Sequence, residues 1–123
     1  MVFVATGTGI APMLPMLEQI AHSETQTSVV LYFGSRHRNA SLLEECLKTL
    51  PHPKQFKTIH CLSAEVNVEQ DDEYVGRVTD ALRAAELDWA RSDVYVAGNA
   101  AMVRDVCTLG FEQGATTVYA EHY

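Results

Sequence analysis

The chain has 123 residues, an apolar fraction of 47%, a charged fraction of 20% and a formal net charge of −7. That length holds a single hydrophobic core and not a core plus a second folded unit, and that charge argues against binding nucleic acid through clustered Lys and Arg. The apolar runs are far shorter than the ~20 residues of a membrane-spanning helix, no basic region marks a signal peptide, and three scattered cysteines, Cys46, Cys61 and Cys107, point to free thiols in a reducing cytoplasm.

Short runs rich in Val, Tyr and Ile alternate with stretches of helical period, the pattern of an α/β domain. Strands are expected at Met1–Ala5, Ser28–Phe33, Phe56–Leu62, Asp93–Ala97 and Thr116–Ala120. They are short and mostly apolar, as strands covered on both faces tend to be. After the first strand, Ala11–His22 carries Met13, Leu14, Met16, Leu17 and Ile20 at helical spacing. Pro12 fits a first helical position. Pro15 would remove a backbone donor near the end of the first turn, so the helix begins late or loses one bond.

Ala40–Leu50 repeats the helical pattern and stops at Pro51 and Pro53. The run Glu65–Glu73 carries five acids and reads as a solvated loop, because its carboxylates lack the order of a calcium loop. Val78–Ala85 and Ala100–Glu112 supply two more helices, the second followed by Gly114 where a left-handed cap belongs. Strand, helix and strand follow each other throughout, so right-handed crossovers give an open twisted sheet with helices on both faces. Ligands of such sheets bind beyond the carboxyl ends of the strands where strand order reverses, which directs attention to the turns Thr6–Pro12 and Gly98–Met102.

Gly7 and Gly9 follow an apolar strand and lead into a helix, the setting in which backbone N–H groups approach an anion. The third glycine of G-x-G-x-x-G is Pro12 here, the second strand ends L-Y-F-G-S-R without an acid for a ribose, and no G-K-S or G-K-T completes a Walker loop. A tight strand-to-helix turn that binds nothing is an equal reading of this segment alone.

The string A-T-G-T-G-I-A-P-M resembles the first strand, turn and helix of the nicotinamide-binding domain in the ferredoxin–NADP reductase superfamily. L-Y-F-G-S-R at Leu31–Arg36, Y-V-G-R-V-T-D-A-L at Tyr74–Leu82, V-Y-V-A-G-N-A-A-M at Val94–Met102 and the terminal E-H-Y follow in the family's order. The resemblance covers essentially the whole chain as one domain, residues 1–123. It implies a three-layer sandwich around a five-stranded parallel sheet of order 3-2-1-4-5. It also implies a domain that positions NADH or NADPH for hydride transfer to FAD or FMN held outside this chain, by a flavin-binding domain or subunit.

Carried over by this resemblance, Gly7, Thr8 and Gly9 line the pyrophosphate and nicotinamide, with Ile10, Ala11 and Pro12 continuing the binding turn. Ser35 and Arg36 meet the adenosine half, and Ser63 stands at the corresponding place after the third strand. Gly98, Asn99 and Met102 border the nicotinamide, although Ala97, Asn99 and Ala100 replace the family's cysteine and prolines. Thr8, Glu121 and Tyr123 are the residues expected nearest the hydride transfer. The S-A-E at Ser63–Glu65 lacks the arginine that usually meets a 2′-phosphate, which favours NADH, though Arg36 or Arg38 could reach that phosphate.

Five histidines without i, i+4 pairing or zinc-spaced cysteines provide no metal site, and most are expected at the surface. Trp89, Tyr32 and Tyr95 fit an α/β core, and Cys107 fits a core thiol. A dinucleotide-binding module without turnover, or a regulatory domain whose glycine turn binds nothing, are the alternatives. The sequence leaves the electron acceptor open.

Overall fold

The computed structural model describes residues 1–23, 27–39, 45 and 56–122. Strand β1 is Val2–Thr6, and a tight 3-10 segment, Gly7–Met13, leads into helix α1, Leu14–His22. Then come β2, Val29–Ser35, and β3, Phe56–Leu62. A short strand β4, Glu73–Val75, precedes α2, Val78–Ala84, and a 3-10 turn at Trp89–Arg91. Strand β5, Val94–Gly98, α3, Ala100–Glu112, and β6, Val118–His122, complete the order. The expected helix Ala40–Leu50 lies outside the described residues.

The sheet is parallel at every pairing and has six strands in the order β4-β3-β2-β1-β5-β6. The expectation of five strands in the order 3-2-1-4-5 is corrected by one strand. The five expected strands keep their relative order, and β4 adds itself outside β3, with Glu73 opposite His60 and Val75 opposite Leu62. It was hidden because it is only three residues long, begins on the last acid of the run and pairs only through tertiary contacts.

Alternation along β1 divides the core between the two faces of the sheet. Val2 and Val4 join Val94, Val96, Leu82, Val106 and Trp89 under α2 and α3. Phe3 and Ala5 join Ile10, Met13, Leu17 and Phe33 on the face that α1 covers. Tyr32 and Trp89 are buried as expected, whereas Tyr95 is half-buried and stacks on Phe3 at 5.2 Å.

Only β3 and α3 keep both expected bounds; the other strands shift by one or two residues, α2 ends at Ala84 and not Ala85, and two of the shifts have a local cause. The α-helix starts at Leu14 and not Ala11, which places Pro15 at its second position, where an N–H would have no intrahelical acceptor. Strand β6 starts at Val118 and not Thr116. Pairing of Val118 with Val94 fixes its register, and the turn after α3, with Gly114 at φ +97°, extends through the preceding residues. Among the described residues no helix is long and apolar enough to cross a membrane.

Candidate functional site

Thr6 ends β1, the strand between β2 and β5, and so lies where the chain's progress across the sheet reverses. Its Oγ1 accepts hydrogen bonds from Asn99 N at 3.4 Å and Asn99 Nδ2 at 3.3 Å. Asn99 Oδ1 accepts from Met102 N at 2.8 Å and caps α3. Gly98 has φ +154°, and a Cβ there would collide with Thr6 Oγ1 and lie 2.8 Å from Met102 Cε. Glycine followed by Asn therefore lets the ends of β1 and β5 close together, replacing the prolines of the family motif with a capped helix start.

From this junction a cleft of about 870 Å³ runs past the ends of β2 and β3 and the first turns of α2 and α3. It brings together five of the residues the sequence nominated: Ser35, Arg36, Ser63, Asn99 and Met102. It also brings in Thr6, Arg77 and Asp80, which were not nominated. Arg77 was legible only as part of the Tyr74–Leu82 landmark. Its position just ahead of α2, beside the ends of β2 and β3, follows from the fold. Arg36 and Arg77 are both exposed, and among the described residues neither guanidinium has an ion-pair partner.

The glycine turn divides in two. Gly7, at φ +52°, and Thr8 are exposed, and nothing stands within 4 Å of where a Gly7 side chain would be. Gly9 is buried instead, because a Cβ would lie 2.8 Å from Gly98 N and collide with the Ala97 carbonyl. Ile10 is fully buried in the core under α1. Gly7 and Thr8 thus offer open backbone, while Gly9 and Ile10 seat the turn against β5. Ala11 and Pro12 are exposed, and Pro12 borders a separate recess of about 260 Å³ that Tyr95, Tyr119 and Glu121 also line. Thr8 and Glu121 do not line the larger cleft. Tyr123 lies outside the described residues.

At the other end, Ser35 Oγ donates to the His37 carbonyl at 2.8 Å and lies 2.6 Å from His60 Nε2. His60 is buried at 8% exposure, an exception to the expected surface histidines. Ser63 N donates to Ser35 O at 3.0 Å, which prolongs the β2–β3 pairing beyond the strands and holds Ser63 beside Ser35.

The acidic run is an exposed loop, as expected, and its carboxylates gather on one cation. Arg38 forms ion pairs with Glu65 at 3.3 Å, Glu69 at 3.2 Å and Glu73 at 3.2 Å, and its Nη2 donates to Asn67 O at 2.7 Å. The Arg38 guanidinium, helped by the Glu69 N–H, holds the Glu73 carboxyl down at about 2. Arg38 is therefore occupied, unlike Arg36. Cys61 forms part of the cleft floor, and burial, with the negative Asp80 nearby, pushes its thiol up to about 12, so it stays protonated. Among the described residues no group of His, Cys, Asp and Glu could hold a metal ion.

The family model described as the oxidoreductase NAD-binding domain matches residues 3–108. Reductase component 1 of terephthalate 1,2-dioxygenase from Comamonas sp is 30% identical over 118 residues, covering 93% of this chain and 34% of that protein. The ferredoxin–NAD(P)(+) reductase component of the naphthalene 1,2-dioxygenase system of Pseudomonas putida is 28% identical over 125 residues, covering 100% of this chain and 38% of that protein. The chain thus spans about a third of the length of these curated relatives. Among solved structures, a ferredoxin NADP+ reductase from Neisseria gonorrhoeae with bound FAD and NADP shares the fold at a TM-score of 0.78 and 21% identity, covering 98% of this chain and 55% of the other. The landmarks that carry the resemblance fall at the strand ends, turns and helix starts just described, and the chain belongs to the oxidoreductase NAD-binding domain family, the dinucleotide-binding unit of ferredoxin reductase-like oxidoreductases.

Proposed function

We propose that this domain, residues 1–123, holds NADH along the strand-end cleft as the dinucleotide-binding part of a flavin-dependent reductase. The observation that carries this reading is the convergence of Ser35, Arg36, Ser63, Arg77 and Met102 on one cleft, with two guanidinium groups that have no ion-pair partner among the described residues. When bound, NADH supplies a hydride from nicotinamide C4 to N5 of FAD or FMN carried by another domain or subunit.

The chain's own residues bind and orient. Arg36 and Arg77 neutralise the phosphates with charge-assisted hydrogen bonds, and Ser35 and Ser63 meet the adenosine half. The open backbone at Gly7 and Thr8 admits the pyrophosphate and nicotinamide, where a side chain at Gly7 would hold the ligand away. Met102 and the Gly98–Asn99 turn border the nicotinamide, while Glu121 and Tyr123 meet the flavin side of the site. The cleft's size, its two exposed arginines and its glycine-dependent close approaches fit a dinucleotide.

Arg38 is engaged by Glu65, Glu69 and Glu73, which keeps it from a 2′-phosphate and supports NADH over NADPH. The relatives' names as reductase components of dioxygenase systems support an electron-transfer chain serving an oxygenase as the setting. A cytoplasmic location fits the unpaired Cys61 and Cys107. Calorimetric titration of the protein with each dinucleotide tests the reading. NADH is expected to bind about tenfold more tightly than NADPH, a difference of about 1.4 kcal/mol. Tighter NADPH binding would overturn the preference, and no binding of either at millimolar concentration would overturn the function.

A further inference from the structure

Ser35 ends β2 at the cleft, and its hydroxyl has one hydrogen to donate and two lone pairs to accept with. The hydrogen goes to the His37 carbonyl at 2.8 Å, because a carbonyl oxygen carries no hydrogen of its own. His60 Nε2 stands 2.6 Å from the same oxygen. With the Ser35 hydrogen already committed, the hydrogen in that second contact belongs to Nε2, so the ring donates to Ser35. One lone pair is then all that Ser35 Oγ has left to offer a ligand.

We propose that Ser35 meets the dinucleotide as an acceptor-only group, selecting a ribose hydroxyl over a phosphate oxygen, with His60 as the positioning residue that fixes this polarity. The inference rests on the dinucleotide reading above and adds the chemistry of one contact to it. A ribose hydroxyl brings its own hydrogen to the free lone pair. A phosphate oxygen at neutral pH brings only lone pairs, so the two acceptors repel and the phosphate loses its water without gaining a donor.

The surroundings hold the polarity in place. His60 is buried in β3 directly opposite Phe33 of β2, with the rings 5.8 Å apart and tilted by 57°. This packing prevents the imidazole from swinging away. The His37 carbonyl lies in the turn that Arg38 anchors through Glu65, Glu69 and Glu73, so the acceptor for the Ser35 hydrogen is fixed as well. The network thus acts on specificity twice, by occupying Arg38 and by holding the backbone that takes the Ser35 proton.

Two measurements on the intact chain test this. Long-range ¹H–¹⁵N NMR of the imidazoles above pH 7.5 reads the His60 tautomer: hydrogen on Nε2 is expected, and a neutral ring with hydrogen only on Nδ1 overturns the proposal. Calorimetry of Ser35→Ala is expected to raise the NADH dissociation constant about fivefold while changing that of NADPH less than twofold, narrowing the preference. A larger loss for NADPH than for NADH means that Ser35 donates to phosphate, and overturns the proposal. His60→Leu is expected to narrow the same ratio and His60→Gln, which keeps a donor near the Nε2 position, to restore it; a merely structural role would weaken both ligands alike. If the unaltered chain binds neither dinucleotide, the underlying reading fails, and the tautomer still decides the hydrogen placement.

Discussion

Glu73 stays ionised because the Arg38 guanidinium and the backbone N–H groups of Glu69 and Gln70 all converge on its carboxylate. Its carboxyl in the folded chain lies at about 2, below the ordinary 4.5, so it contributes stability above pH 4.5 that is lost as pH falls through about 2. Thermal melts across that window are expected to fall more steeply for the native sequence than for Glu73→Gln; parallel curves would contradict the assignment. What was legible at this scale came through the family resemblance: Gly98, Ser35, Arg36, Ser63 and Met102 were all carried over from its motifs, and the cleft gathers the last four. What was not legible were pairings over long sequence separations, such as Arg38 with Glu73, or Ser35 with His60. No local spacing places those partners together until β2 and β3 lie side by side.

Among the elements, α3 was read with both boundaries correct because its apolar period, its Asn start and its Gly114 stop agree. Asn99 contributes through its Oδ1 to the Met102 N–H and through its Nδ2 to Thr6, so it joins β1 to the start of the helix. Asn99→Ala is expected to destabilise the domain by about 1 kcal/mol. It is also expected to weaken NADH binding severalfold by loosening the junction; unchanged stability in urea denaturation would show that the cap contributes nothing. The start of α1 was misread because the sequence pattern cannot distinguish a 3-10 approach from the first α turn, although Pro15 marked the late start. Strand β4 escaped notice because a three-residue strand has no period to detect, and its partner His60 lies more than ten residues upstream.

For the molecule as a whole, the order β4-β3-β2-β1-β5-β6 sets the reversal point at Thr6 and gathers Ser35, Arg36, Ser63, Asn99 and Met102 along one cleft. The α/β class and open sheet were legible from alternating strands and helices, whereas the strand order came from the family resemblance and lacked β4. The face of β5 and β6 beside α1 is different: Tyr95 and Tyr119 stack at 4.8 Å with Tyr119 half exposed, next to the recess that Pro12 and Glu121 border. In the proposed reading Met102 and the Gly98–Asn99 turn lie at the nicotinamide end and Arg36 and Arg77 at the phosphate end. The central claim is that one dinucleotide occupies the cleft between them. Amide ¹H–¹⁵N NMR of the labelled chain during NADH titration tests it most directly. The account predicts saturable shifts concentrated at Thr8, Ser35, Arg36, Ser63, Arg77 and Met102, with Val29, Lys57 and Gln113 unmoved; no shifts at millimolar NADH, or shifts centred on those last three, would contradict it.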